Sequence, residues 1–463
     1  MDAADLDHQA RTRSDCIPPE LVARLLERGH AAVVEQQAGR GEWFCAREWA
    51  RLSGERGRQA EALDVLAPYL ATGWWTATVA AAELLEGWGR AEEAIELTRA
   101  RMATGHPTAL ETYTRLLARN GRAQEAFALL VPHVDDPELA TALVDVAGAA
   151  GQDEEAAVLL AARLRAGHRC SDFPWCCRGF HPDTALGLLA TIRERQGRTD
   201  EAIALLRRRE SPLHEDGRLA DLLARHGRLE ELRAHAAVDG HDRAARRLAE
   251  LLEERGDVAG AIAVYGRADG PAARHPGPAF DLACLLARHG RGGEAIAVLR
   301  TRADAHPGDD CSLHALSDLC LRLGRPEDGL AHLDALATAR GGEEEWDLYR
   351  IRLPLLAARD GVDEAVARAR AHPEGDTPYA ARDIAELLAG AGRVEEAVAA
   401  LAPHAAENRH DLAGHLVDLG RVEEALALVR HTRPRPPVVP TIHLWSDEPR
   451  FRRSARLGAD QRP

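Results

Sequence analysis

Lysine is absent from this chain: all 59 basic residues are arginine. A P-loop uses a lysine on its phosphates, a pyridoxal enzyme a Schiff-base lysine and a protein kinase a strand lysine, so none of those chemistries is open to it. Positive charge is in deficit too, with a formal net charge of −15. A surface of that sign disfavours nucleic-acid phosphates. Long apolar runs are missing: no window approaches the roughly 18 uninterrupted apolar residues of a membrane-spanning helix. The eight cysteines are scattered rather than gathered into a dense framework, which is the usage of reduced thiols. The opening MDAADLDHQARTRSDC lacks the basic-then-apolar order of a secretion signal, so the cytoplasm is the expected location.

What is present is repetition. The phrase Gly-Arg-x-Glu-Glu-Ala or a close variant begins at Gly57, Gly89, Gly121, Gly151, Gly197, Gly227, Gly256, Gly290, Gly324, Gly361, Gly392 and Gly420, with a worn copy at Gly29. Most spacings fall between 28 and 34 residues. In that range one copy is one supersecondary unit stacked on the next, and the array grows without needing a new core.

Each unit reads as two amphipathic helices around the glycine. Before it stands Leu-Ala-x-Leu-Leu, as in Leu219–Leu223, Leu248–Leu252 and Leu282–Leu286, and after it Ala-Ile-x-Leu-Leu, as in Ala202–Leu206. Apolar residues at i, i+3 and i+4 make one helical stripe. The glycine sits where a helix needs a left-handed terminal residue, and acids open the next helix at the positive end of its dipole. The alanine after the glycine marks a close helix crossing. Nineteen residues before that alanine stands proline (Pro107, Pro137, Pro276, Pro378) or tryptophan (Trp43, Trp75, Trp346), and proline suits a first helical position.

These units resemble tetratricopeptide repeats over roughly residues 40 to 430, through the small residue of the first helix (Ala220, Ala249, Ala283, Ala385) and the Glu-Ala opening of the second (Glu93-Ala94, Glu125-Ala126, Glu396-Ala397). Leucine replaces the family's aromatic near the end of the first helix (Leu117, Leu223, Leu252), and the Gly-Arg-Val-Glu-Glu-Ala wording is shared with pentatricopeptide repeats. The resemblance implies an all-α solenoid of about 12–13 stacked helix-turn-helix units whose first helices line a concave, partner-binding groove. Carried onto this register, the groove-facing candidates are Arg47, Arg51, Glu83, Arg115, Asp145, Asp221, Arg246, Glu250, His314, Asp318, Arg350, Arg382 and Glu386. Their signs are mixed, and no cluster matches the family's carboxylate clamp of lysines and asparagines.

Three regions depart from the period. The step from Gly151 to Gly197 is 46 residues and carries an inserted loop, 168–183. Its Cys170, Cys176, Cys177 and His181 could ligate zinc, although adjacent cysteines fit one ion poorly, and a loop held by Phe173, Trp175 and Phe180 is the competing reading. Cys45 and Cys320 lie on apolar helix faces, the usual place of a buried thiol. Five tryptophans crowd the start of the array, and of the neighbours Trp74 and Trp75 one should face outward; Trp74 is taken as a partner anchor. Residues 1–17 read as a disordered N-terminus, 18–430 as the solenoid and 431–463 as a disordered, Pro/Arg-rich tail.

The chemistry-bearing motifs are missing: His214-Glu215 begins a zincin-like pair, but Arg218 stands where the second histidine would. The expected function is a non-catalytic scaffold binding a protein or peptide on the concave surface, with no cofactor, no nucleic acid and no membrane. Two alternatives are a metal-dependent or thiol enzyme built on the insert, and pentatricopeptide-like RNA binding, which the net charge disfavours.

Overall fold

The computed structural model describes residues 2–13, 16–102, 108–166, 181–208, 217–238, 242–268, 277–306, 309–341 and 344–430. Among these residues there are 27 α-helices and no strand. The first, α1, spans Ala3–Thr12; the other 26 fall into thirteen hairpins from Pro19 to Arg430. The worn copy at Gly29 is a genuine hairpin, α2 (Pro19–Glu27) with α3 (Ala31–Gly39).

The glycines do what their spacing requires. Gly57, Gly89, Gly121 and their counterparts all have positive φ, between 64° and 79° in the Gly-Arg copies. Except at Gly361, the residue after each of these glycines donates its N–H five residues back, as Arg90 does to Leu85 O at 2.8 Å and Arg421 to Leu416 O at 2.8 Å. That is the Schellman closure of a helix, and a Cβ would strain it. The following arginine then ties the turn to the new helix by gripping the acid three residues on. Arg90–Glu93, Arg291–Glu294 and Arg421–Glu424 are all two-pronged bonds of 2.6–2.8 Å. The same arginine also reaches back to the preceding unit, Arg228 to Asp200 at 2.8 Å and Arg393 to Asp363 at 2.6 Å. The phrase Gly-Arg-x-x-Glu is therefore a turn, a staple and a stacking contact in one.

At the far end of the unit, Pro137 and Pro378 are first residues of their helices, and Trp43, Trp75 and Trp346 hold the same position in others. The alanine slot is closed: Ala94, Ala126, Ala202, Ala295 and Ala397 have no exposed surface. In one unit the slot holds Gly329, on α21 (Pro326–Ala339). A Cβ built there comes within 2.8 Å of Leu355 Cδ1, on the first helix of the following unit, α22 (Trp346–Asp360). So the slot is where a second helix meets the next first helix, and it admits at most a methyl group.

In much of the array successive first helices pack on one another, as α8 (Ala109–Arg119) does on α10 (Pro137–Ala150). Successive second helices show no comparable packing among the described residues, so the first helices form the inner wall of the curve. Curvature carries the last unit back to the first. Helix α2 packs against α26 (Arg409–Asp418) as neighbouring first helices do elsewhere. One apolar core runs from Ala190 to Val429 and, across this joint, includes Leu6 to Ala81; a second, from Ala82 to Ile192, occupies the rest of the array. The thirteen hairpins close on themselves.

Helix α1 corrects the expectation of a disordered N-terminus. Asp2 and Asp5 form a reciprocal capping box at its start, and Leu6 is buried against the array. Two caps and one apolar anchor suffice where composition alone reads as polar. The tail, 431–463, lies outside the described residues.

Candidate partner-binding surface

The inner wall is built from helices whose apolar stripe faces the second helices, which leaves their polar positions in solvent. Every groove candidate lies on a first helix. Arg51, Glu83, Asp145, Asp221, Arg246, Asp318, Arg382 and Glu386 are exposed, and Arg47, Arg115, Glu250, His314 and Arg350 are half-buried. The structure brings some together across helices: Arg115 meets Asp145 at 3.0 Å, Asp221 meets Arg247 at 3.6 Å and Arg246 meets Asp281 at 2.7 Å. Others pair on their own helix, Arg47 and Arg51 with Glu48, Glu250 with Arg247, and Arg350 with Asp347. Glu83, Asp318, Arg382 and Glu386 form no ion pair among the described residues. Among the described residues the exposed large apolar side chains are Val158, Val238 and Tyr379, of which only Tyr379 lies on a first helix.

Trp74 is not part of it. Both members of the pair are buried, Trp74 to 3% exposure and Trp75 to 8%. The Trp74 ring stands edge-on to Trp43 at 4.6 Å, and its indole N–H points at Asp7 Oδ1 at 3.5 Å. Asp7 belongs to α1, so the segment expected to be disordered is the one that covers the tryptophan. Trp43 also meets Tyr69 at 5.0 Å, and the aromatic crowding at the start is packing.

Of the candidate zinc ligands, Cys170, Cys176 and Cys177 lie outside the described residues. His181 caps α12 (Pro182–Arg195), its Nδ1 accepting the Asp183 N–H at 3.1 Å. No group of three His, Cys, Asp or Glu is placed to hold a metal among the described residues. Cys45 and Cys320 are fully buried, and burial pushes their thiols up, to about 12 and about 11. A thiol so placed stays protonated and unreactive at neutral pH. A cleft of about 680 Å³ opens beside α22, but its most buried cation, Arg352, is already held by Asp334 and Glu344.

Sequence reasoning missed a second row of charges, at the C-terminal ends of the first helices. Glu86 accepts from Arg119 at 2.8 and 3.0 Å and from Asn120 at 2.9 Å. Glu194 binds Arg225 and His226 in the same way, and Glu253 binds Arg288 and His289. The arginines beside them hold Glu86 and Glu253 below the usual carboxylate range. The signal was visible as an acid three residues before one glycine and an arginine two before the next. At the joint a related contact is made one residue out of that register by Asp418, which takes Arg24 at 2.9 and 2.6 Å and Arg28 at 2.9 Å.

Hairpins, left-handed glycine turns, closed alanine slots and an inner wall of first helices are together decisive. The fold is a tetratricopeptide-like helical repeat. No protein-family model matches the chain, and no curated protein does. Among solved structures it is similar to a chain of Naa15/Naa10 bound to HypK-THB, at 16% identity and a TM-score of 0.46, covering 91% of this chain and 68% of that one. It is also similar to TTC0263, a thermophilic TPR protein of Thermus thermophilus, at 22% identity and a TM-score of 0.25, covering 40% of this chain and 99% of that one. A tetratricopeptide repeat protein of Parabacteroides merdae aligns at 15% identity and a TM-score of 0.23, covering 67% of this chain and 96% of that one. At these identities the likeness is one of fold. No helix among the described residues is long and apolar enough to cross a membrane.

Proposed function

We propose that this chain is a non-catalytic scaffold that holds a protein or peptide partner against its inner wall. The observation carrying the reading is the set of exposed inner-wall charges left without an ion pair among the described residues: Glu83, Asp318, Arg382 and Glu386. Their mixed sign and the scarcity of exposed apolar side chains favour a partner with a polar, charged surface, recognised through charge complementarity. Such a wall gives little hold to a uniformly anionic strand, so RNA is the poorer fit.

The test is affinity capture from the native cell by the full chain and by the variant Arg382→Glu/Glu386→Arg, with crosslinking and mass spectrometry. Proteins recovered by the parent and lost by the variant, whose circular dichroism is unchanged, support the inner wall. Equal recovery by both chains would move the binding surface elsewhere.

A further inference from the structure

Twelve of the thirteen junctions between hairpins are bridged by the chain itself; the junction of last to first is not. Its chemistry is related to that of the inner-wall row but shifted: Asp418 lies one residue nearer its glycine than Glu86, Glu194 and Glu253 do, and Glu27 holds the place of the row's arginine. Arg28 stands where Asn120, His226 and His289 stand, next to the turn glycine, and Arg24, one helical turn before it, supplies the second guanidinium. The Asp418 carboxylate is 5% exposed and is gripped by two guanidiniums that are themselves 38% and 54% exposed.

The joint is also less completely satisfied than that geometry suggests. Gln37 on α3 accepts from Arg430, at the end of α27 (Val422–Arg430), yet its own amide nitrogen is buried without a hydrogen bond. His415 Nδ1, on α26, is also buried without a hydrogen bond, 3.8 Å from Asp418 Oδ2. A buried donor or acceptor left unmade opposes the state that buries it. Chain connection returns an opened covalent junction to its partner; here only the long way round the array does so.

We infer that the contact of α2 with α26 is a reversible clasp, the place at which the closed array opens and gives a partner access to the inner wall. This rests on the inner-wall reading above for its purpose, though opening itself needs no partner. The clasp joins the two ends of the covalent array, so opening costs the contacts of one junction, its share of the apolar core included, and leaves the remaining hairpins folded.

Hydrogen exchange followed by mass spectrometry on the full chain tests the clasp, with no partner present. Amides of α2 and α26 should exchange roughly tenfold or more faster than those of α8 and α10, and faster still in about 1 M salt, where the screening length is ~3 Å. Asp418→Arg, which sets a third cation against Arg24 and Arg28, should deprotect α2 and α26 alone and lengthen the particle in X-ray scattering. The swap Arg24→Asp/Arg28→Asp/Asp418→Arg should restore both. Equal protection of α2, α26, α8 and α10 in the parent chain would overturn the clasp. So would loss of helical signal throughout Asp418→Arg, since closure would then hold the fold rather than gate it. If the clasp opens as expected while inner-wall variants keep every partner, the gate stands and the scaffold reading falls.

Discussion

The alanine slot offers the sharpest quantitative test of the packing. Ala295 lies on α19 (Gly292–Ala305) with no exposed surface, while Ala297 on the same helix is exposed. Replacing Ala295 by leucine adds three carbons where two first helices and one second helix converge. The equivalent position in the next unit shows how little room exists: at Gly329 even a methyl carbon would stand 2.8 Å from Leu355 Cδ1 and 3.5 Å from Cys320 Cβ. Overpacking of this kind costs about 1–3 kcal/mol. Leucine and alanine differ little in helix propensity, so Ala297→Leu should stay within about 0.5 kcal/mol of the parent. Urea titration followed by helical circular dichroism reads the difference, and hydrogen exchange locates it, because stability in a stacked array is a sum of local terms. Loss should centre on the helices around Ala295 and fade around the array. If Ala295→Leu and Ala297→Leu unfold at the same urea concentration, the close crossing inferred from the alanine register is wrong.

Thiol chemistry should sort by burial: with Cys170, Cys176 and Cys177 replaced by serine, a disulfide reagent at neutral pH should label exposed Cys311 first. Cys45 and Cys320 should resist until the protein unfolds, and prompt labelling of either would contradict their placement. Acid should weaken the array. Glu86 and Glu253 titrate lower in the folded chain than in the unfolded one, so their contribution is complete above the ordinary carboxylate value of about 4.3 and drains away as pH falls below it. The urea midpoint should therefore hold from neutral pH down to about 5 and then drop; a flat profile to about pH 3 would refute the carboxylate–arginine row as a stabiliser. Leu6→Asp should detach α1 and uncover Trp74, seen as a red shift of tryptophan emission with little loss of helix; an unchanged spectrum would mean that α1 does not shield it.

Much of the molecule was legible because its rules are local. A positive-φ glycine, an arginine three residues from its acid, and a proline or tryptophan at a first helical position act within one or two turns of chain. Even Cys45 and Cys320 could be placed inside from their helical faces alone. Trp74 could not, because what covers it is Asp7, 67 residues away, and no pattern within α1 announces where it docks.

The residues of each unit by themselves determined thirteen hairpins, their turns, their alanine crossings and the stacking of each on the next. Only the tertiary structure decided that the last hairpin meets the first, that Asp418 answers Arg24 across 394 residues, and which inner-wall charges pair. The physical reason is accumulation: the angle between neighbouring units is small and set by packing volumes along the whole array. Its sum decides closure, and no single repeat carries that sum.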